Sequence, residues 1–155
     1  MSQEDKKLLI EDLCCRLQFN LICQYDRILP KGYETNHPEI SGILYSIKKE
    51  DDVFYFNISG TLCQIADFKP FLRSISKMTE DECKKLFEIL SIDTNSETDW
   101  IKINDIGVLR LFTETGKDFN EIANAISYLN EHMIDYRFLI DKGLALEASE
   151  GMYNF

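Results

Sequence analysis

Four residues near the end of the chain have side chains and spacing suited to chemistry: His132, Asp135, Tyr136 and Arg137. His132 stands three residues before Asp135 and next to Glu131, so a histidine–carboxylate pair could form on one helix face and hold a metal or move a proton. Arg137 is the only arginine after Arg110 in a carboxylate-rich stretch, and its planar fork suits a bidentate partner. We favour the plainer reading of each. His132 then complements a helix C-terminus, Asp135 caps the next segment, and Arg137 ties the chain ending down through an intramolecular ion pair. These four residues are the candidate ligand- or partner-binding positions. No residue is assigned a catalytic role.

The remaining chemical signals are weaker. Asp93 to Asp99 imitates the start of a calcium loop, but the required turn glycine is Thr98 and the closing glutamate is Asn104, so a solvated polar loop is expected. Five cysteines, at 14, 15, 23, 63 and 83, include one adjacent pair and no Cys-x-x-Cys spacing. They read as small apolar core residues, without disulfides or metal ligation. His37 precedes Pro38 in a loop, too far from His132 in sequence to suggest a zinc cage. The chain has no glycine-rich phosphate loop, Gly-x-Ser-x-Gly elbow or paired-histidine zinc motif, and no cofactor is expected.

Periodicity gives the elements on which these residues sit. Ser2 with Asp5 caps a first helix, whose apolar stripe is Leu9, Ile10, Leu13, Cys14 and Leu17, ending near Gln18 to Asn20. Residues 21–28 read as extended. Pro30 to Pro38 is a loop, and Ile40–Ile47, Val53–Ile58 and Thr61–Ala66 are strands, with Lys48 to Asp52 as the first turn. Apolar residues on both faces of 53–58 point to a central strand or barrel wall. Lys69 to Arg73 reads as a connector because of Pro70. Thr79 to Glu82 is a capping box before the stripe Cys83, Leu86, Phe87 and Leu90. Trp100–Ile103 and Ile106–Phe112 read as extended, and a last helix from Asp118 buries Phe119, Ile122, Ala123, Ile126, Leu129 and Met133. The expected fold is α+β: an antiparallel sheet or small, partly open barrel of about four to six strands with three main helices.

The 155 residues, 45% of them hydrophobic, suffice for a single domain with a real core, an N-terminal helix and β-meander over 1–77 and a mostly helical half over 78–155. Charge divides unevenly. Residues 1–77 hold ten Lys and Arg against eleven Asp and Glu, a net of −1. Residues 78–155 hold seven against sixteen, a net of −9. Such a surface repels nucleic-acid phosphates, so direct nucleic-acid binding is not expected, whereas a basic protein surface is a suitable partner. No apolar run approaches a membrane span and the N-terminus lacks signal-peptide features; a cytoplasmic protein is expected. The apolar and aromatic ending, from Leu139 to Phe155, is expected to pack onto the body.

Three blocks carry a likeness: Asp12 to Leu17, Lys69 to Arg73 with Ser76 to Glu80, and Tyr128 to Phe155. In order and spacing they resemble a group of small uncharacterised proteins of gut bacteria and their phages or mobile elements. The departures are Met133, where the group often has a second histidine, and Phe138, where it often has glycine. The resemblance implies a phage or mobile-element setting and transfers no catalytic or cofactor residue. The leading expectation is a non-enzymatic acidic interaction or adaptor protein. Alternatives are an inhibitor of a host defence nuclease acting by charge mimicry, and a small enzyme or ligand-binding protein using His132, Asp135 and Arg137.

Overall fold

Ser2 accepts a hydrogen bond from the Asp5 amide while the Asp5 carboxylate receives the Ser2 amide, and this box starts α1, Gln3–Arg16. The computed structural model describes residues 1–25, 40–91 and 119–153. The chain forms two units: Met1–Phe71 with Leu139–Leu146, and Leu72–Phe138 with Glu147–Phe155. The expected loop over 30–38, the calcium-like segment 93–99, the extended stretches at 100–103 and 106–112, His37, Asp118 and Phe155 lie outside the described residues.

In the first unit α1 passes into a 3-10 turn, Leu17–Phe19, stopped by Asn20 in the left-handed region at φ 56°. The buried face of α1 differs from the expected stripe. Leu9 and Leu13 are fully buried, but so are Asp12 and Arg16, and Cys14 is exposed. Arg16 holds Asp12 through two hydrogen bonds, Nε–Oδ2 at 2.7 Å and Nη2–Oδ1 at 3.1 Å. One turn apart on a helix, the two charges neutralise each other well enough to occupy a core position.

The strands are β1 (Ile22–Tyr25), β2 (Ile40–Glu50), β3 (Val53–Ile58), β4 (Thr61–Cys63), β5 (Phe68–Leu72) and β6 (Leu146–Glu147), in the order β4-β3-β2-β1-β5-β6. The β1–β2, β1–β5, β2–β3 and β3–β4 pairs are antiparallel and the sheet does not close, giving the expected α+β class; β3 is paired on both sides but stands next to the edge strand β4, and the centre of the sheet is β2 and β1. It does curl. The rings of Phe56 on β3 and Phe68 on β5 lie 5.0 Å apart although β2 and β1 run between them, and a flat sheet would hold strands three places apart about 14 Å from each other. Gly42 permits a tight approach inside this curl, since a Cβ there would sit 2.6 Å from Ser59 Oγ. That hydroxyl instead accepts the Ile43 amide at 3.0 Å.

Two sequence expectations change here. The first hairpin turn is only Asp51–Asp52, both at positive φ, because aspartate tolerates this conformation and lets β2 run on to Glu50. The expected connector 69–73 is mostly strand β5. Leu72 offers its carbonyl to the Ala148 amide, so Pro70, two residues earlier, turns its missing N–H to that same side, where β6 is just two residues long.

In the second unit the Thr79–Glu82 box starts α2, Glu80–Ile89, and both of its hydrogen bonds form. Cys83, Leu86, Phe87 and Leu90 are buried as expected, packed with Ala125 and Leu129 of α3 (Phe119–Glu131), Ile134 and Tyr136. The buried stripe of α3 is rotated from its expected position: Ala125 and Leu129 are sealed, Ala123 is exposed and Phe119 is 84% exposed. The ending folds as anticipated. Leu139, Leu144, Ala145 and Ala148 are buried, and Gly143 and Gly151 turn the chain at positive φ. Among the described residues no helix is long and apolar enough to cross a membrane.

Candidate functional site

Helix α3 ends in a Schellman motif, and this determines where the four candidate residues go. The Ile134 amide reaches back to the Leu129 carbonyl at 2.9 Å, the Met133 amide to the Asn130 carbonyl at 3.1 Å, and Met133 takes the left-handed conformation at φ 55°. Ile134 and Leu129 complete the motif by meeting in the core. His132 is therefore the helix's terminal residue and Asp135 lies beyond the reversal. His132 at a helix end is the plainer reading favoured above, and the alternative pairing of both residues on one helix face is not what forms.

After the reversal, residues 133–135 run beside Arg73 as a parallel bridge: the Arg73 amide donates to the Met133 carbonyl at 2.8 Å and the Asp135 amide to the Arg73 carbonyl at 2.8 Å. Asp135 and Tyr136 are buried. Arg137 donates from Nε to the Tyr136 hydroxyl at 3.2 Å and lies over that ring, 5.4 Å from its centroid. Phe138 is at φ 58°, a conformation that favours glycine.

The arginine that sequence reasoning missed is Arg73. Its fork meets Glu82 at 2.6 and 2.9 Å, and further bonds reach the carbonyls of His132 at 3.4 Å and Lys77 at 3.3 Å. Glu82 thus caps α2 and holds Arg73 at once. Burial pushes the Glu82 carboxyl up, but the hydrogen bonds from Arg73 and the Thr79 amide outweigh it and leave the group below its ordinary value. The available signal was the alternation of Phe68, Pro70 and Leu72 with Lys69, Phe71 and Arg73, a strand period that delivers Arg73 to the opposite side from Leu72.

Beside this ion pair lies a cavity of about 680 Å³, within the size range of small-ligand sites. Arg73, Lys77, Glu82 and His132 line it together with Glu150 and Tyr153 from the chain ending. Of the four sequence candidates, His132 alone is among its described lining residues. His132 Nδ1 lies 3.0 Å from the Tyr128 carbonyl, which can only accept, so Nδ1 carries a proton. The ring also stacks on Tyr128, with centroids 4.1 Å apart. Burial, then Glu82 and Cys83, push the Tyr128 hydroxyl up to about 12, so it stays protonated at neutral pH. Lys77 is paired with Glu147 at 2.9 Å. The walls therefore offer fixed charges, donors and an aromatic ring to a bound group. Among the described residues no three His, Cys, Asp or Glu side chains gather as a metal site. No protein-family model, curated protein or solved structure matches the chain.

Proposed function

We propose that this is a non-enzymatic interaction protein, of phage or mobile-element origin, whose second unit receives a basic segment of a protein partner at the cavity beside Arg73 and Glu82. The observation that carries this reading is the state of the cations on the cavity wall: Arg73 is held by Glu82 and Lys77 by Glu147, so both are already matched by carboxylates beside Glu150.

The charge around the cavity supports a cationic visitor. Arg73 and Lys77 already carry carboxylates, Glu150 lines the opening, and residues 78–155 hold a net of −9. An incoming lysine or arginine would meet Glu150 and could displace Lys77 from Glu147. The phage or mobile-element setting rests on the resemblance of the three sequence blocks.

The test is capture of partners from a bacterial lysate by the wild-type protein and by the exposed double variant Glu147→Lys with Glu150→Lys. The expected outcome is a basic partner whose capture fades as salt rises from about 0.05 to 0.5 M, as screening of an exposed charged surface requires. The double variant should lose that partner while keeping its thermal midpoint. Capture indifferent to both salt and charge reversal would remove the cavity from the recognition surface.

A further inference from the structure

We propose that the outer face of the β2–β3–β4 strands is a self-association surface, by which two copies of this chain form a weak twofold dimer. Register places Leu62, Asn57, Tyr55 and Val53 on one face with Ser46, Lys48 and Glu50, because Leu62 pairs with Asn57, Ser46 with Asn57, Lys48 with Tyr55 and Glu50 with Val53. The opposite face carries the buried residues Phe56, Ile58, Leu44 and Cys63. The outer face should therefore be polar. Instead Leu62 is 65% exposed and Val53 39%, and the irregularity between Leu44 and Ser46 inserts Tyr45, which stands 60% exposed. A bulge that re-aims an aromatic side chain into solvent is a feature found at functional faces.

Charge selects a second copy as the occupant. The charged side chains that register places on this face are Lys48 and Glu50, one of each sign, so it offers a strongly charged foreign protein little attraction. Lys48 and Glu50 lie on it two residues apart and already attract each other within one chain. Under a twofold axis the Lys48 of one copy can face the Glu50 of the other, an arrangement that a strand carrying one charge of each sign satisfies with itself. The edge strand β4, only three residues long, is too short to template strand-to-strand pairing, so the contact is face to face. A patch of a few side chains makes a transient interface.

Sedimentation velocity of the full chain, from about 10 µM to 1 mM, spans the affinities such an interface reaches. The expected result is a monomer–dimer equilibrium that strengthens as salt rises, because salt screens the repulsion between two chains of net charge −10. This is the opposite salt dependence to that of the proposed basic partner. Leu62→Lys and Tyr45→Lys should each weaken dimerisation at least tenfold. A wild-type protein monomeric throughout, or a dimer untouched by both substitutions, overturns the proposal. If either variant loses its fold, concentration-dependent shifts of the wild-type amides of residues 45, 53 and 62 decide the matter. Shifts confined elsewhere also overturn it.

Discussion

Replacing Glu82 by glutamine isolates the charge at the centre of the second unit while keeping side-chain shape. Glu82 accepts three hydrogen bonds, two from Arg73 at 2.6 and 2.9 Å and one from the Thr79 amide at 2.7 Å, and its side chain is 13% exposed against 18% for Arg73. Charge-assisted bonds contribute about 1.5–3 kcal/mol each when lost singly. Glutamine keeps one acceptor oxygen, and Arg73 retains its bonds to the His132 and Lys77 carbonyls. Fully breaking a buried pair costs about 3–5 kcal/mol, so for this slightly solvated one the expected loss is about 2–3 kcal/mol at pH 7. Urea unfolding from pH 7 to pH 3 is the assay. The folded carboxyl titrates below its unfolded value, near 4.5, so its contribution is complete above that pH and is lost as pH falls through the lower folded value. The stability gap between wild type and Glu82→Gln should therefore close in that acid window. A gap that stays constant with pH, or is below about 0.5 kcal/mol at pH 7, would show that the ion pair does not hold the unit together.

Four further outcomes are expected. Arg16→Met should cost about 3–5 kcal/mol in chemical unfolding by leaving Asp12 buried without its main partner, and adding Asp12→Leu should restore part of the loss; no recovery in the double variant would refute the pairing. Thr79→Ala should cost about 1 kcal/mol, read in the same assay, by removing the acceptor for the Glu82 amide. A thiol reagent should label Cys14 and Cys15 in the native state, while Cys23, Cys63 and Cys83 wait for unfolding, because the first two are exposed and the other three are buried; mass spectrometry of the labelled chain checks the count. Truncation after Met133 should give an insoluble or molten chain, and a monomeric product with an unchanged thermal midpoint would make the ending a detachable segment.

What could be read from the sequence was whatever local chemistry decides. Both capping boxes, the α2 stripe, the three meander strands and the folded ending depend on spacing within a few residues, and they appear in place. What escaped depends on partners distant in sequence. Proline at position 70 excludes a helix but tolerates a strand whose neighbour on that side is short, and nothing local reveals that neighbour. Cys14 and Cys15 are apolar enough for a core, yet the paired charges of Asp12 and Arg16 take the buried side of α1 and turn the thiols outward. At the site, His132 was legible as a helix-end residue. Arg73, 59 residues away, was not, because its role exists only once the Schellman turn brings residues 132–135 back to it.

The division of the chain into two interleaved units has a consequence for its birth on the ribosome. Neither unit is a continuous stretch: the first borrows Leu139–Leu146 and the second borrows Glu147–Phe155. Translation therefore exposes the sheet long before the segment carrying Leu139, Leu144 and Ala145 exists to complete that unit's core. At about 5–20 residues per second, the wait between Phe71 and Leu139 lasts several seconds, far longer than helix or hairpin formation. The nascent first unit must spend that interval incomplete, with α1 and the early strands poised but unsealed. A cell making this protein is expected to hold its emerging chain in the care of ribosome-associated chaperones until the segment from Leu139 onward has left the exit tunnel.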